Sequence, residues 1–188
     1  MNKCIKILLL LLISFVFMDY INAEDKLKNP RMEPFYAILE SDTGKLKKWL
    51  EYNSPNYMPG QIPLAAATVS GGCHIESLKL LISSGLDVNQ KDLLSGSSLL
   101  HSAVENSNLS CMKILIENGA DLKVHDKKNR NLYWYAVLSN NKEAIKILFK
   151  AGLSPLTKSS NDLNAIDLAK KIDRMYLFDF LENPEAGY

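Results

Sequence analysis

The feature that most constrains this chain is a repeat with a period of about 33 residues. Three amphipathic stretches end alike at Gly85, Gly119 and Gly152, and these glycines are almost evenly spaced along the chain. Periods between about 20 and 50 residues are typical of repeat proteins. Such a chain is expected to fold as stacked units, each of which contacts mainly its neighbours.

A second marker recurs in phase with the glycines, an alanine that closes a short apolar stretch upstream of each unit. Its first step is longer than the next two, which indicates an insertion at Gly71-Gly72 and a slightly longer loop around Ser95-Gly96. The agreement of two markers argues against an irregular helical bundle with a chance period. The alanines are Ala67, Ala103, Ala136 and Ala169.

The pattern within one unit predicts a short helix, a tight turn and a second helix, closed by a glycine able to adopt positive φ. The second helix carries an apolar stripe at helical spacing, which a unit of this size cannot bury alone. An earlier, degenerate unit from Pro34 to Asn53 fits the same plan, so about five units are predicted. The stripes are Leu46, Trp49 and Leu50; Leu78, Leu81 and Ile82; Met112, Leu115 and Ile116; and Ile145, Leu148 and Phe149.

The first 23 residues have the pattern of a secretory signal peptide. Lys3 and Lys6 precede an apolar run from Ile7 to Met18, and Ala23 is the predicted cleavage residue. The run is too short for a membrane-spanning helix. We therefore predict a signal peptide at 1–23, an N-terminal extension at 24–32, a repeat domain at 33–183 and a tail at 184–188.

Composition and charge exclude some classes of function. The chain has 188 residues and 47% hydrophobic content, enough for one continuous core. Lys and Arg number 22 against 21 Asp and Glu, a net charge of +1, and cleavage after Ala23 would leave the two signs equal in number. The chain therefore has no large excess of positive charge that would attract nucleic acid or anionic lipid. Binding to nucleic acid is therefore disfavoured, and we expect no stable membrane span after cleavage.

The repeat resembles the ankyrin family, whose units begin Thr-Pro-Leu-His-x-Ala and end Gly-Ala-Asp-Val-Asn. The resemblance implies an all-α solenoid of helix-turn-helix units with short β-hairpin-like connections, which serves as a protein-binding module. His101 keeps the motif histidine, whose implied role is to hydrogen-bond the backbone between hairpins. The segments that match are Ile62 to Ala67, Ser98 to Ala103, Asn131 to Ala136, Gly85 to Asn89 and Gly119 to Leu122.

No catalytic, cofactor or metal site is indicated by the sequence. The repeat register keeps His74 and His125 apart, and no glycine-rich phosphate-binding motif is present. A zinc site built from Cys73, His74 and Cys111 lacks a fourth ligand and a closely spaced cysteine pair. We predict that the protein is not an enzyme.

Cys73 and Cys111 lie in adjacent units, and whether they pair is left open. Cys111 aligns with Ser77, one helical turn beyond Cys73, which is an unfavourable register for a disulfide. The insertion at Gly71-Gly72 could swing Cys73 toward its neighbour.

The family resemblance places the binding surface on the connection tips and on the exposed side of each first helix. Two adjacent leucines at one tip form either the apolar centre of an interface or a pair folded back on the connection. The cationic residues beside them form either a charged rim facing an acidic partner or a solvated face. The candidate binding residues are Leu93, Leu94, Glu105, Asn106, Lys127, Lys128, Arg130, Leu138, Ser139, Leu156 and Lys158.

Together these features predict an exported binding protein that is monomeric when free and needs no cofactor. Export of such a small repeat protein suggests a bacterial periplasm, with secretion as the alternative. The favoured hypothesis is an immunity protein that occludes a toxic effector such as a secreted lipase. An accessory protein for a periplasmic enzyme such as a catalase, and a secreted host-directed binding factor, are the alternatives.

Overall fold

A computed structural model describes residues 31–70 and 72–182. The predicted signal peptide and the predicted tail lie outside the described residues. The described part is built from paired helices, with one antiparallel backbone pairing, between Lys91 and Ser98. The predicted all-α solenoid is confirmed. Its connections are turns rather than extended strands.

Five consecutive helix pairs follow one another in the described residues, each with an inner helix and an outer helix. The inner helices are short, and Gly85, Gly119 and Gly152 follow the ends of the second, third and fourth pairs. The pairs are α1 (Glu33–Leu39) and α2 (Thr43–Leu50), α3 (Ala66–Val69) and α4 (Ile75–Ser83), α5 (Leu99–Glu105) and α6 (Leu109–Glu117), α7 (Leu132–Leu138) and α8 (Lys142–Lys150), and α9 (Ala165–Lys171) and α10 (Phe178–Glu182), with 3₁₀ turns at Ser160–Asp162 and Met175–Leu177.

Side-chain caps determine where several helices begin. Ser98 and His101 form a reciprocal cap at α5, in which the Ser98 side chain accepts from the His101 amide and the imidazole accepts from the Ser98 amide. Asn164 and Asp167 do the same at α9. Asn141 accepts from the Ala144 amide at α8. Such caps satisfy amides that have no partner within the helix.

The core is one continuous apolar layer between the inner and outer helices. The first two residues of each predicted stripe lie inside it, except Trp49 in the first unit, which is half-buried. The third stripe residue, such as Ile82 or Ile116, is half-buried at its rim. Continuity of this layer across all five pairs is what allows such short helices to be stable.

Candidate protein-binding surface

Four long connections join the five helix pairs in the described residues, 51–65, 84–98, 118–131 and 151–164, and we call the last three the fingers. Each finger has a glycine at positive φ near its start, 95° at Gly85, 85° at Gly119 and 92° at Gly152. A side chain is strained in that conformation, so glycine ends the outer helix and starts the finger.

Hydrogen bonds join each finger to the connection before it. The Leu93 amide donates to Gln61 O at 2.8 Å, and the Lys127 amide donates to Ser95 O at 2.8 Å. The third finger is tied in through Asn131, whose side-chain amide donates to Thr157 O at 3.1 Å. The finger tips therefore form one connected surface.

Asparagine side chains form a further ladder from one connection to the next. Asn56 donates to Gly85 O and accepts from the Asp87 amide at 2.7 Å. Asn89, one repeat later, does the same toward the next finger, donating to Gly119 O and accepting from the Asp121 amide at 2.8 Å. Lys123 and Leu156 occupy the next two equivalent positions, so the ladder ends after these two rungs.

The tip leucines point away from the core. Leu93 is 56% exposed, Leu94 49% and Leu156 62%. Their exposure argues against Leu93 and Leu94 being folded back on the connection and favours the alternative, that they form the apolar centre of an interface. Leucines exposed together on a surface are typical of interaction sites.

Arg130 has a structural role that the sequence interpretation did not anticipate. Its guanidinium forms an ion pair with Asp126, whose side chain is fully buried, and donates to the Tyr135 hydroxyl at 2.8 Å. The Tyr135 hydroxyl in turn donates to Asp126 at 2.8 Å. Burial alone would raise the pKa of Asp126, but hydrogen bonds from Arg130 outweigh it and lower that pKa to about 2.

Asp126 is a residue that sequence reasoning missed, although the repeat carried the signal. Asp92 lies one repeat earlier and uses its carboxylate in the same way, accepting from the Leu94 and Ser95 amides inside its own finger. Asp126 accepts from the Lys128 and Arg130 amides. A carboxylate at this position of the period organises the finger.

The other tip cations are partly engaged by neighbours. Lys127 donates to Leu93 O, and Lys158 pairs with Asp162. Lys128 is exposed and makes no ion pair with any residue in 31–70 or 72–182. Of the four tip cations, Arg130 and Lys158 are therefore balanced by a carboxylate, whereas Lys127 and Lys128 form no ion pair within residues 31–70 and 72–182.

His101 lies at the base of the second finger and is fully buried. Its Nε2 lies 3.3 Å from Arg130 O, so the imidazole links α5 to the finger, as the family resemblance implies. Burial lowers the pKa of His101 to about 4, which keeps the ring neutral near pH 7.

Residues at the ends of the inner helices lie on the side that the family resemblance assigns to the concave binding surface, which we call the groove; Glu105, Asn106 and Leu138 are exposed and Ser139 is half-buried. Asn106 donates to Ser102 O, and the Ser139 hydroxyl donates to Tyr135 O, so both side chains are tied to their own helices. Leu138 is 43% exposed. Loss of surrounding water raises the pKa of Glu105, an effect that Arg130 opposes and Asp126 reinforces.

The structure resolves the pairing of the cysteines: Cys73 and Cys111 form a disulfide with 5.7 Å between their Cα atoms. The insertion after Ser70 carries Cys73 toward α6, despite the unfavourable register. Asn108 holds the same loop by donating to Val69 O and Gly72 O. The disulfide therefore joins the second helix pair to the third.

Within residues 31–70 and 72–182, no helix is long and apolar enough to cross a membrane. In that same part of the chain, no three His, Cys, Asp or Glu side chains are grouped so as to hold a metal ion.

The stacked helix pairs and the projecting fingers define a helical repeat solenoid. A family model for ankyrin repeats, in three copies, matches residues 64–159, and the chain belongs to the ankyrin-repeat family. A putative ankyrin repeat protein of Rickettsia bellii (strain RML369-C) is 30% identical over 131 residues, covering 69% of this chain and 71% of that protein.

Another relative is the NF-kappa-B inhibitor cactus of Drosophila melanogaster. It is 27% identical over 113 residues, which is 59% of this chain. The chain spans 22% of the length of cactus, so the similarity concerns the repeats alone. Ankyrin repeats are protein–protein interaction modules, and members of the family are typically binding proteins rather than enzymes.

Proposed function

We propose that this protein is exported and inhibits another protein by covering it with the finger tips and the concave groove. The observation that carries the proposal is the set of exposed leucines, Leu93, Leu94 and Leu156, on fingers joined by hydrogen bonds. A rigid surface loses little conformational entropy on binding, which favours affinity. Apolar groups surrounded by charged ones match the anatomy of protein interfaces.

Export is supported by the Cys73–Cys111 disulfide. Disulfides persist in oxidising compartments such as the bacterial periplasm and are rare in the cytosol. This agrees with the signal-peptide pattern of residues 1–23. The processed chain is expected to begin at Glu24, which intact-mass measurement of protein purified from the periplasm would check.

Inhibition by occlusion is the mechanism we favour, with the groove covering an active-site entrance of a toxic effector such as a lipase. The Drosophila relative is itself an inhibitor, which supports an inhibitory role. The mechanism requires tight binding and no catalysis.

The test uses the Leu93→Asp/Leu156→Asp variant and a photo-cross-linking amino acid at Ser139 in the groove. The partner that the Ser139 cross-link recovers from the periplasm is identified and purified, and its affinity for the wild-type and variant proteins is then measured. We expect the variant to bind at least about tenfold more weakly, because buried apolar anchors dominate interfaces.

Tyr52→Asp is the matched control, since Tyr52 is 86% exposed but lies outside the fingers and the groove. It should leave the affinity unchanged. Equal affinities for the wild-type protein and the leucine variant, or failure to recover any partner, would refute the proposed surface. Purified wild-type protein should also inhibit the partner's activity, whereas enhanced activity would indicate an accessory role instead.

A further inference from the structure

The ends of the inner helices carry a column of exposed residues that differ in charge from one helix pair to the next. Glu105, Leu138 and Lys171 occupy the same position in successive repeats, each two positions after the alanine that marks its inner helix. All three are exposed. Since neighbouring helices pack about 8–10 Å apart, the column spans about 20 Å. It runs from an acidic residue through an apolar one to a basic one.

In the described part of the chain, neither end of this column is neutralised by another side chain. Across residues 31–70 and 72–182, Glu105 and Lys171 form no ion pair. The nearest strong cation to Glu105 is Arg130, which is already paired with the buried Asp126. Arg130 and Asp126 influence Glu105 in opposite directions, so their pair offers it little net charge.

Glu105 is also partly desolvated. Loss of water raises the pKa of its carboxyl, so the ionised form is less well stabilised in the free protein than in water. A cation supplied by a partner would restore that stabilisation. Leu138 between the two charges offers an apolar contact, at 43% exposure.

We infer that the partner presents to the groove a segment with a basic residue opposite Glu105, an apolar residue opposite Leu138 and an acidic residue opposite Lys171. This inference rests on the proposed function and specifies the chemistry and direction of the segment that is bound. About 20 Å corresponds to six residues of extended chain or thirteen of helix. The reversed charge order would place like charges together and be rejected.

The probe is the purified partner recovered through the Ser139 cross-link. Its affinity is measured for Glu105→Lys, Lys171→Glu and the double exchange of both charges. Each single reversal should weaken binding about tenfold or more, and the weakening should shrink as salt is raised. Peptide mapping of the cross-linked adduct should place the segment with the predicted charge order beside α5, α7 and α9.

Glu117→Lys and Lys113→Glu, on the outer helix α6, are the matched controls because both residues are exposed on the opposite side of the unit. They should change the affinity less than about twofold. If the groove reversals behave like these controls while Leu93→Asp/Leu156→Asp still weakens binding, the charge-ordered segment is wrong and the finger surface stands. If all variants bind equally, both proposals fail.

Discussion

At the scale of single residues, His101 couples stability to pH. Its pKa falls from 6.5 to about 4 in the folded protein, so the unfolded chain binds the proton more tightly. The stabilisation is complete above the unfolded pKa and is lost as pH falls through the window from 6.5 to 4. A shift of this size corresponds to roughly 3 kcal/mol of unfolding free energy.

The pH dependence is checked by measuring the unfolding free energy in urea for the wild-type protein and for His101→Gln between pH 7 and pH 4. Wild-type stability should decline across the window, whereas the variant should start lower, having lost the bond to Arg130 O, and decline less. Parallel declines would assign the pH dependence to other groups. Below pH 4 both proteins should weaken further, because the pKa of Asp126 is lowered to about 2 and its stabilisation is lost as pH falls toward that value.

The ion pair of Arg130 with Asp126 could not be predicted from the sequence. The place of Arg130 on a finger was predictable from the period, but its ion pair depends on how the finger folds back on itself. That conformation brings Asp126 and Tyr135 to the same guanidinium. Charge reversal at Arg130 would leave the buried Asp126 carboxylate unpaired, so such a variant would report on folding as well as on binding.

At the scale of structural elements, the asparagine ladder explains how neighbouring fingers keep their spacing. Asn56 and Asn89 each bridge to the following finger by two hydrogen bonds, and Lys123 interrupts the series. Lys123→Asn should extend the ladder toward Gly152 and stabilise the protein by about 1 kcal/mol.

The measurement is again the urea midpoint, with Lys123→Ala as the control that removes lysine without adding the amide. Only the asparagine should raise the midpoint. A gain shared by both variants would show that loss of the lysine, rather than a new rung, is responsible.

The helix pairs themselves were predictable, because their markers are local and recur in phase. Leu46, Leu78, Met112 and Ile145 all lie in the core where the stripe predicted them. The insertion after Ser70 was also located correctly. Its conformation was not predictable, since no repeat period describes a loop that only one unit contains, and the cysteine pairing therefore stayed open.

At the scale of the whole molecule, the disulfide holds the two N-terminal helix pairs to the rest. It closes a loop between cysteines with a sequence separation of 38, next to α3, the shortest inner helix. A loop of this length gives a stabilisation of about 4 kcal/mol in the chain-entropy treatment. Cys73→Ser/Cys111→Ser should lose about 2–4 kcal/mol, with faster amide hydrogen exchange appearing first in residues 33–83.

Reductant supplies the internal control for this prediction. It should destabilise the wild-type protein to the level of the double variant and leave the variant itself unchanged. Uniform acceleration of exchange along the chain would contradict the view that the disulfide acts at the junction between the second and third units.

The finger backbones have a consequence for how such a protein can change over generations. Amide and carbonyl groups fix the fingers in place, through bonds such as Leu93 N to Gln61 O, while the tip side chains contribute little to the core. Mutations at Leu93, Leu94 or Leu156 therefore carry little cost in folding. These residues could therefore change during evolution and alter which partner is bound, while the scaffold beneath them stays the same.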